Sequence, residues 1–291
     1  MELRRLHRVP GREPYRLTHF GKIAASILAV LGLSLWFAFS KAGNWISRSV
    51  FAPLFSGDSS LDNGSATTDA LMVSSTGNET VSMKYRFSLP DCYCLQTGVF
   101  SSYENALRQA QALKNKGAAG YIYEEGETYR VLAAGYRTKD DCKAVQSRLS
   151  TEGIESTLYA IPSQERTMVL TGESEKLNSY CKCLDFLTEL SERIYELSIR
   201  FDGDFLSVEE GKVQLNTLKA ELERCYQSFQ TASSGKTELD REILQLFESM
   251  LREMNDTLGQ EDPFRASFSS DLKCQRLHAA MELSRLSNSS F

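Results

Sequence analysis

Residues 119–136 read AGYIYEEGETYRVLAAGY, and two short strands joined by a tight turn account for them. Ala119 to Glu124 and Thr128 to Tyr136 carry Tyr, Ile, Val and Thr at the density that strands favour. Glu125-Gly126-Glu127 supplies the turn, with a Gly free to take the backbone angles a hairpin requires. Side chains alternate along the second run. Arg130, Leu132 and Ala134 share one face, and Tyr129, Val131 and Ala133 share the other. Tyr121 and Tyr123 flank Ile122 and therefore share a face, on one side of the sheet or the other.

Working outward, Tyr93 to Phe100 (YCLQTGVF) reads as a preceding strand. Ser101 and Glu104 have the spacing of a capping box, and Ala106, Ala110 and Leu113 line one face of the helix that follows, with Leu107 beside them. Gly117 suits the position just past its end. Thr138-Lys-Asp-Asp141 opens a second helix with Cys142, Val145 and Leu149 on one face, and Gly153 closes it. Ile154 to Ile161 alternates as a last strand before Pro162. The order is βαββαβ, which predicts a four-stranded antiparallel sheet with both helices on one face. The other face is open unless something covers it.

The run Tyr93-Cys-Leu-Gln96-Thr-Gly98-Val-Phe100-Ser resembles the SPOR (sporulation-related repeat) domain of bacterial envelope proteins. Asn105-Ala106, Tyr129-Arg130-Val131 with Gly135, and the second helix ending at Gly153 carry the same resemblance. It implies a peptidoglycan-binding module whose ligand is glycan strand stripped of stem peptides, enriched at division septa and other sites of wall remodelling. It also implies that Arg130 points to the ligand side, with Tyr129 and Val131 in the core, and that Gln96 is a second ligand contact. An amide and a guanidinium suit sugar hydroxyls and acetamido groups. Leu132 shares the face of Arg130, and Tyr121 and Tyr123 are candidate stacking surfaces. Two positions depart from the family pattern: Val99 stands where a small polar residue is common, with Ser101 as a substitute contact, and Thr128 stands where an aromatic is common. An RNA-binding module has the same strand order, but Thr128 to Gly135 carries only Tyr129 and lacks that module's interleaved aromatics.

Toward the N-terminus, Ile23 to Ser40 (IAASILAVLGLSLWFAFS) holds no charge. A helix of that length spans roughly 27 Å, which predicts a transmembrane anchor. A cleaved signal peptide is the alternative, disfavoured by the length of the run and the lack of a small-x-small site. Trp36 and Trp45 suit the membrane interface. Arg4, Arg5, Arg8, Arg12, Arg16 and Lys22 precede the run against Glu2 and Glu13. The positive-inside rule then makes residues 1–22 a cytoplasmic tail and places the bulk of the chain outside the cell membrane. Residues 41–83, rich in Ser, Thr, Asn, Asp and Gly from Ser56 on, read as a flexible linker to a sheet domain over 84–162.

From 172 to 291 the period becomes helical. Leu177, Cys181, Leu184, Leu187, Leu190, Ile194 and Leu197 form one stripe, ended at Asp202-Gly-Asp204. Ser207 and Glu210 form a capping box before Leu215, Leu218, Leu222, Cys225 and Phe229. Thr237 and Asp240 open a third stripe from Leu239 to Met254, and Asp262-Pro263 opens a fourth. Short connections predict an antiparallel helical bundle, making the whole an α+β chain. From Gln164 on there are 23 acidic and 15 basic residues, a net of −8. That charge disfavours contact with anionic wall polymers and suits an envelope protein partner or a simple spacer.

Composition removes other classes. The net charge of −5 argues against nucleic-acid binding. Three His, two of them ahead of the apolar run, leave little for His-based catalysis or metal binding. Glu124, Glu125 and Glu127 fall on a hairpin tip and read as a solvated turn. Of the seven cysteines, Cys181 and Cys225 stand at apolar helix positions and read as core residues, Cys181 and Cys183 point too far apart on their helix to share a metal, and the disulfide state is left open; no enzyme, cofactor or metal site is expected. The resulting expectation is a single-pass membrane protein that binds wall glycan during division or sporulation. The alternative is an extracytoplasmic scaffold whose two domains bind protein only.

Overall fold

The computed structural model describes residues 80–288, apart from 152, 234, 236 and 262. The basic tail, the apolar run at 23–40 and the linker up to residue 79 lie outside the described residues. Among the described residues, no helix is long and apolar enough to cross a membrane.

The expected sheet is present. Strands β2 (Cys92–Phe100), β3 (Tyr121–Glu125), β4 (Thr128–Tyr136) and β5 (Thr157–Ile161) form an antiparallel sheet in the order β3-β4-β2-β5. Gly126, at φ +61°, is the first of two turn residues between Glu125 and Thr128, a conformation that costs Gly nothing. Helices α1 (Tyr103–Lys114) and α2 (Lys139–Thr151) cover one face. Ala106, Ala110, Leu113, Val145 and Leu149 pack there on Leu95, Val131 and Ala133. Gly120 lets β3 start hard against α1: at φ +54°, an added Cβ would stand 2.3 Å from the Ala110 carbonyl. The α2 cap forms as expected, with the Asp141 N–H donating to Thr138 Oγ1 at 3.1 Å. The α1 cap does not. Its N-cap is Ser102, one residue later than Ser101, and Ser102 Oγ donates to the Glu104 carboxylate at 2.5 Å instead of capping the helix.

Two further strands enclose this module in sequence. β1 (Thr80–Leu89) pairs antiparallel with β6 (Gln164–Glu173) along its whole length. Thr80 to Met83, expected at the end of the linker, therefore belong to a strand. Met83, Tyr85, Phe87 and Leu89 alternate inward and join the core of the helical region, where Tyr85 OH donates to Asp185 Oδ1 at 2.7 Å.

Four helices follow: α3 (Ser174–Asp202), α4 (Val208–Ala232), α5 (Glu238–Gly259) and α6 (Arg265–Asn288). Each packs on the next, and α6 closes back on α3. The Ser207–Glu210 capping box forms in both directions, and Thr237 caps α5. The last helix starts at Arg265, two residues past Pro263.

The principal departure concerns α6. It lies between the bundle and the sheet, on the sheet face opposite α1 and α2. Leu277 and Met281 pack there against Cys92, Cys94, Ala119, Leu132 and Ile161. The physical reason is the composition of that face: an apolar row at the centre of a sheet must leave water. The expectation of an open face is therefore corrected: α6 covers its centre.

Candidate functional site

Arg130 sits at the outer end of this face, before the apolar row begins at Leu132. Its strand neighbours are Val99 on β2 and Tyr123 on β3. Two bulges flank Gln96: Ala133 of β4 is the extra residue between the Leu95–Ala134 and Gln96–Leu132 pairs, and Thr97 of β2 between Gln96–Leu132 and Gly98–Val131. The first puts Ala134 in the core with Ala133, so the expected sharing of one face by Arg130, Leu132 and Ala134 stops at Leu132. Arg130 Nη1 donates to Gln96 Oε1 at 2.7 Å, and Gln96 Nε2 donates to Thr157 Oγ1 at 3.0 Å. Arg130 also pairs with Glu125, its Nη2 lying 2.5 Å from Oε2. Its guanidinium lies over the Tyr159 ring at 5.1 Å, and Tyr159 meets Tyr123 with ring centroids 6.1 Å apart. Burial pushes the Tyr159 hydroxyl up to about 12, with Glu125 adding to the effect, so it stays a neutral donor.

The result is a pre-ordered corner holding an amide, a hydroxyl, a guanidinium, a carboxylate and two aromatic rings. The Gln96, Thr157, Arg130 and Glu125 groups each hold a neighbour, so little ordering of them remains for a ligand to impose. Such a set can accept and donate hydrogen bonds in fixed directions beside a flat apolar surface. Among the described residues, no group of three or more His, Cys, Asp or Glu is placed to hold a metal ion.

The six residues singled out from sequence divide three ways. Gln96, Arg130 and Tyr123 come together in this corner. Leu132 and Tyr121 share its face but lie under α6: Leu132 is fully buried, and Tyr121 stacks on His278 at 6.3 Å. Ser101 is exposed beyond the end of β2 and takes no part in the network. Three further residues complete the corner. Glu125 had read as a solvated turn residue, yet it alternates with Tyr121 and Tyr123 and so had to share their face. Tyr159 follows from the same period in the last strand, as does Thr157.

Polar contacts fasten α6 and the bundle to the module. Lys273 Nζ lies 2.6 Å from Asp202 Oδ2 and donates to the Gly117 carbonyl at the end of α1, at 2.7 Å. Arg276 pairs with Glu192 at 2.7 Å, and Arg137, just past β4, pairs with Glu192 and with Glu196. Beneath this layer the Cys92 and Cys94 sulfurs lie 3.8 Å apart. The Cys94 thiol hydrogen bond, aided by Arg276, draws the Cys92 thiol down.

Comparison with known proteins finds one family. Residues 90–160, about a quarter of the chain, match the SPOR domain model. The match runs from β2 through all but the last residue of β5 and excludes β1, β6 and the bundle. No curated protein and no solved structure matches the chain.

Proposed function

Taking residues 90–160 as a SPOR domain, we propose that this chain binds the glycan strands of peptidoglycan through the corner formed by Gln96, Arg130, Tyr123 and Tyr159. The observation that carries the reading is the hydrogen bond between Arg130 and Gln96, the two residues the resemblance assigns to the ligand side. They meet on one face, beyond the edge of the α6 cover. Membrane anchorage through residues 23–40, an extracytoplasmic location and a role at division or sporulation sites complete the proposal. They rest on the uncharged run, the basic residues before it and the family resemblance. In this reading the protein places a wall-binding domain and is not an enzyme.

The test is co-sedimentation of the full chain, in mild detergent, with purified cell-wall sacculi before and after amidase treatment. Capture is expected to rise after amidase treatment. Arg130→Ala is expected to weaken it about 10- to 100-fold, the worth of hydrogen bonds to a charged group. Equal capture of wild type and Arg130→Ala by both preparations would overturn the assignment.

A second reading has its own observation. The centre of the same sheet face already meets protein, because α6 lies on it. A scaffold that uses this module for protein contacts alone predicts no capture by either preparation. In that case the acidic bundle would supply the contact to an envelope partner.

A further inference from the structure

β5 is shorter than the strand it pairs with. It accompanies β2 only from Cys92 to Gln96, while Gly98 to Phe100 pair with β4 alone. Among the described residues no strand covers the outer edge of that last segment. An open groove of about 650 Å³ lies there, between the strand edge and α2. That volume is in the range of small-ligand sites, roughly 300–1,000 Å³.

Among the described residues its lining is chemically narrow: Gln96, Gln146, Ser150, Ser156 and Thr157, with Glu155 the one charged group. Gln146 Nε2 donates to the Ser156 carbonyl at 2.6 Å, bracing α2 against the start of β5. The Ser156 hydroxyl is buried without a hydrogen-bond partner among the described residues. Among the described residues the lining holds no cation for a phosphate and no apolar pocket for the side chains of a bound peptide strand. Three residues of free edge are also short for strand addition, since strands run about 3–10 residues. Hydroxyls and amides remain, and these match an N-acetylated amino sugar, whose acetamido group offers one N–H and one C=O.

Gln96 and Thr157 belong to both regions. Their mutual hydrogen bond stands where the groove meets the Arg130 corner. We propose that the groove is a second sugar subsite continuous with that corner, so that one glycan strand occupies both. The proposal rests on the glycan reading above and adds a register to it. Stripped wall glycan alternates an uncharged N-acetylglucosamine with a sugar carrying a lactyl carboxylate. Arg130 suits the carboxylate, and the groove, with Glu155 in its wall, suits an uncharged sugar of the next disaccharide along the same strand, so that a two-sugar fragment fills the Arg130 corner alone.

Titration calorimetry of the full chain in mild detergent tests this, using peptide-free wall glycan fragments of two and six sugars. Wild type is expected to bind the six-sugar fragment at least about 10-fold more tightly than the two-sugar one, the worth of one added hydrogen-bonded subsite. Ser150→Trp fills the groove from an exposed position on α2, and Gln146→Ala removes an amide. Both should leave two-sugar binding within about 2-fold and cut the length advantage below about 3-fold. Retention of the advantage in both variants overturns the subsite while sparing the Arg130 corner. Competition by a free stem peptide for the groove overturns it in favour of a peptide ligand. Failure of wild type to bind either fragment overturns the glycan reading itself, and the subsite with it.

Discussion

Replacing Lys273 by Met removes one member of the buried ion pair between α6 and α3, whose ammonium also reaches the sheet module at the Gly117 carbonyl. The ammonium is 6% exposed and its Asp202 partner 1% exposed. Its acceptors include Asp202 Oδ2 at 2.6 Å, the Gly117 carbonyl at 2.7 Å and Ser269 Oγ at 2.8 Å. Burial pulls the ammonium below its usual range, and Asp202 opposes that pull. Met matches the aliphatic stem, so packing is largely kept and the change is electrostatic. Removing one member of a buried pair leaves the other charge in low dielectric, which costs about 3–5 kcal/mol. At about 2–4 °C per kcal/mol for a domain of this size, thermal unfolding followed by near-UV circular dichroism should shift down by about 6–20 °C. The double variant Lys273→Met with Asp202→Leu removes both charges and should return to within about 1 kcal/mol of wild type, since an apolar pair of similar volume is often neutral. A loss under about 1 kcal/mol in the single variant, or a double variant less stable than the single, would refute the reading of this pair as a buried ion pair that fastens α6 to α3.

Leu277→Ala empties the fully buried contact between α6 and Leu132 and should cost about 2–5 kcal/mol in urea unfolding. Ser207→Ala removes the reciprocal cap of α4 and should cost about 0.5–2 kcal/mol, with Ser207→Asp close to wild type in the same assay. His278 gives a pH dependence. Burial lowers its pKa, but the Glu253 carboxylate 2.7 Å from Nδ1, together with the charge of Glu282, more than offsets this and raises it above 6.5. A raised folded value means the contribution is fully present below pH 6.5 and is lost as pH rises through the folded value. The urea midpoint should therefore fall across that window, and Glu253→Gln should flatten the fall.

The sheet module was legible because its signals are local. Alternation at 93–100 and 128–136, a Gly at each sharp turn and a Thr138 cap are properties of neighbouring residues. The pairing of Gln96 with Arg130 was legible as two residues assigned to one side. The α1 cap was misplaced by one residue, since Ser101 and Ser102 both suit a cap and only the path of the chain out of β2 selects between them. The β1–β6 ribbon was missed although Met83, Tyr85, Phe87 and Leu89 alternate. That run follows a Ser- and Thr-rich stretch, and its partner lies some 80 residues away. The role of α6 also left a trace: Phe268, Leu272, Leu277, Met281 and Leu286 share the buried set with Ser269, Lys273 and Arg276 on other sides of the helix. A helix buried all round must have neighbours on more than one side.

The order of β2 to β5 with their two helices, and the helical stripes of the C-terminal region, were determined by the sequence alone, because each follows from a short period and a few turn or cap residues; the side taken by Arg130 was what the family resemblance implied. How much of the sheet face stays free was decided only by the tertiary structure. Burying the row of Cys92, Cys94 and Leu132 required an apolar surface from elsewhere in the chain, and α6, more than a hundred residues away along the backbone, supplies it. Long-range burial of this kind is set by which surfaces fit and exclude water together, a property that no local pattern encodes.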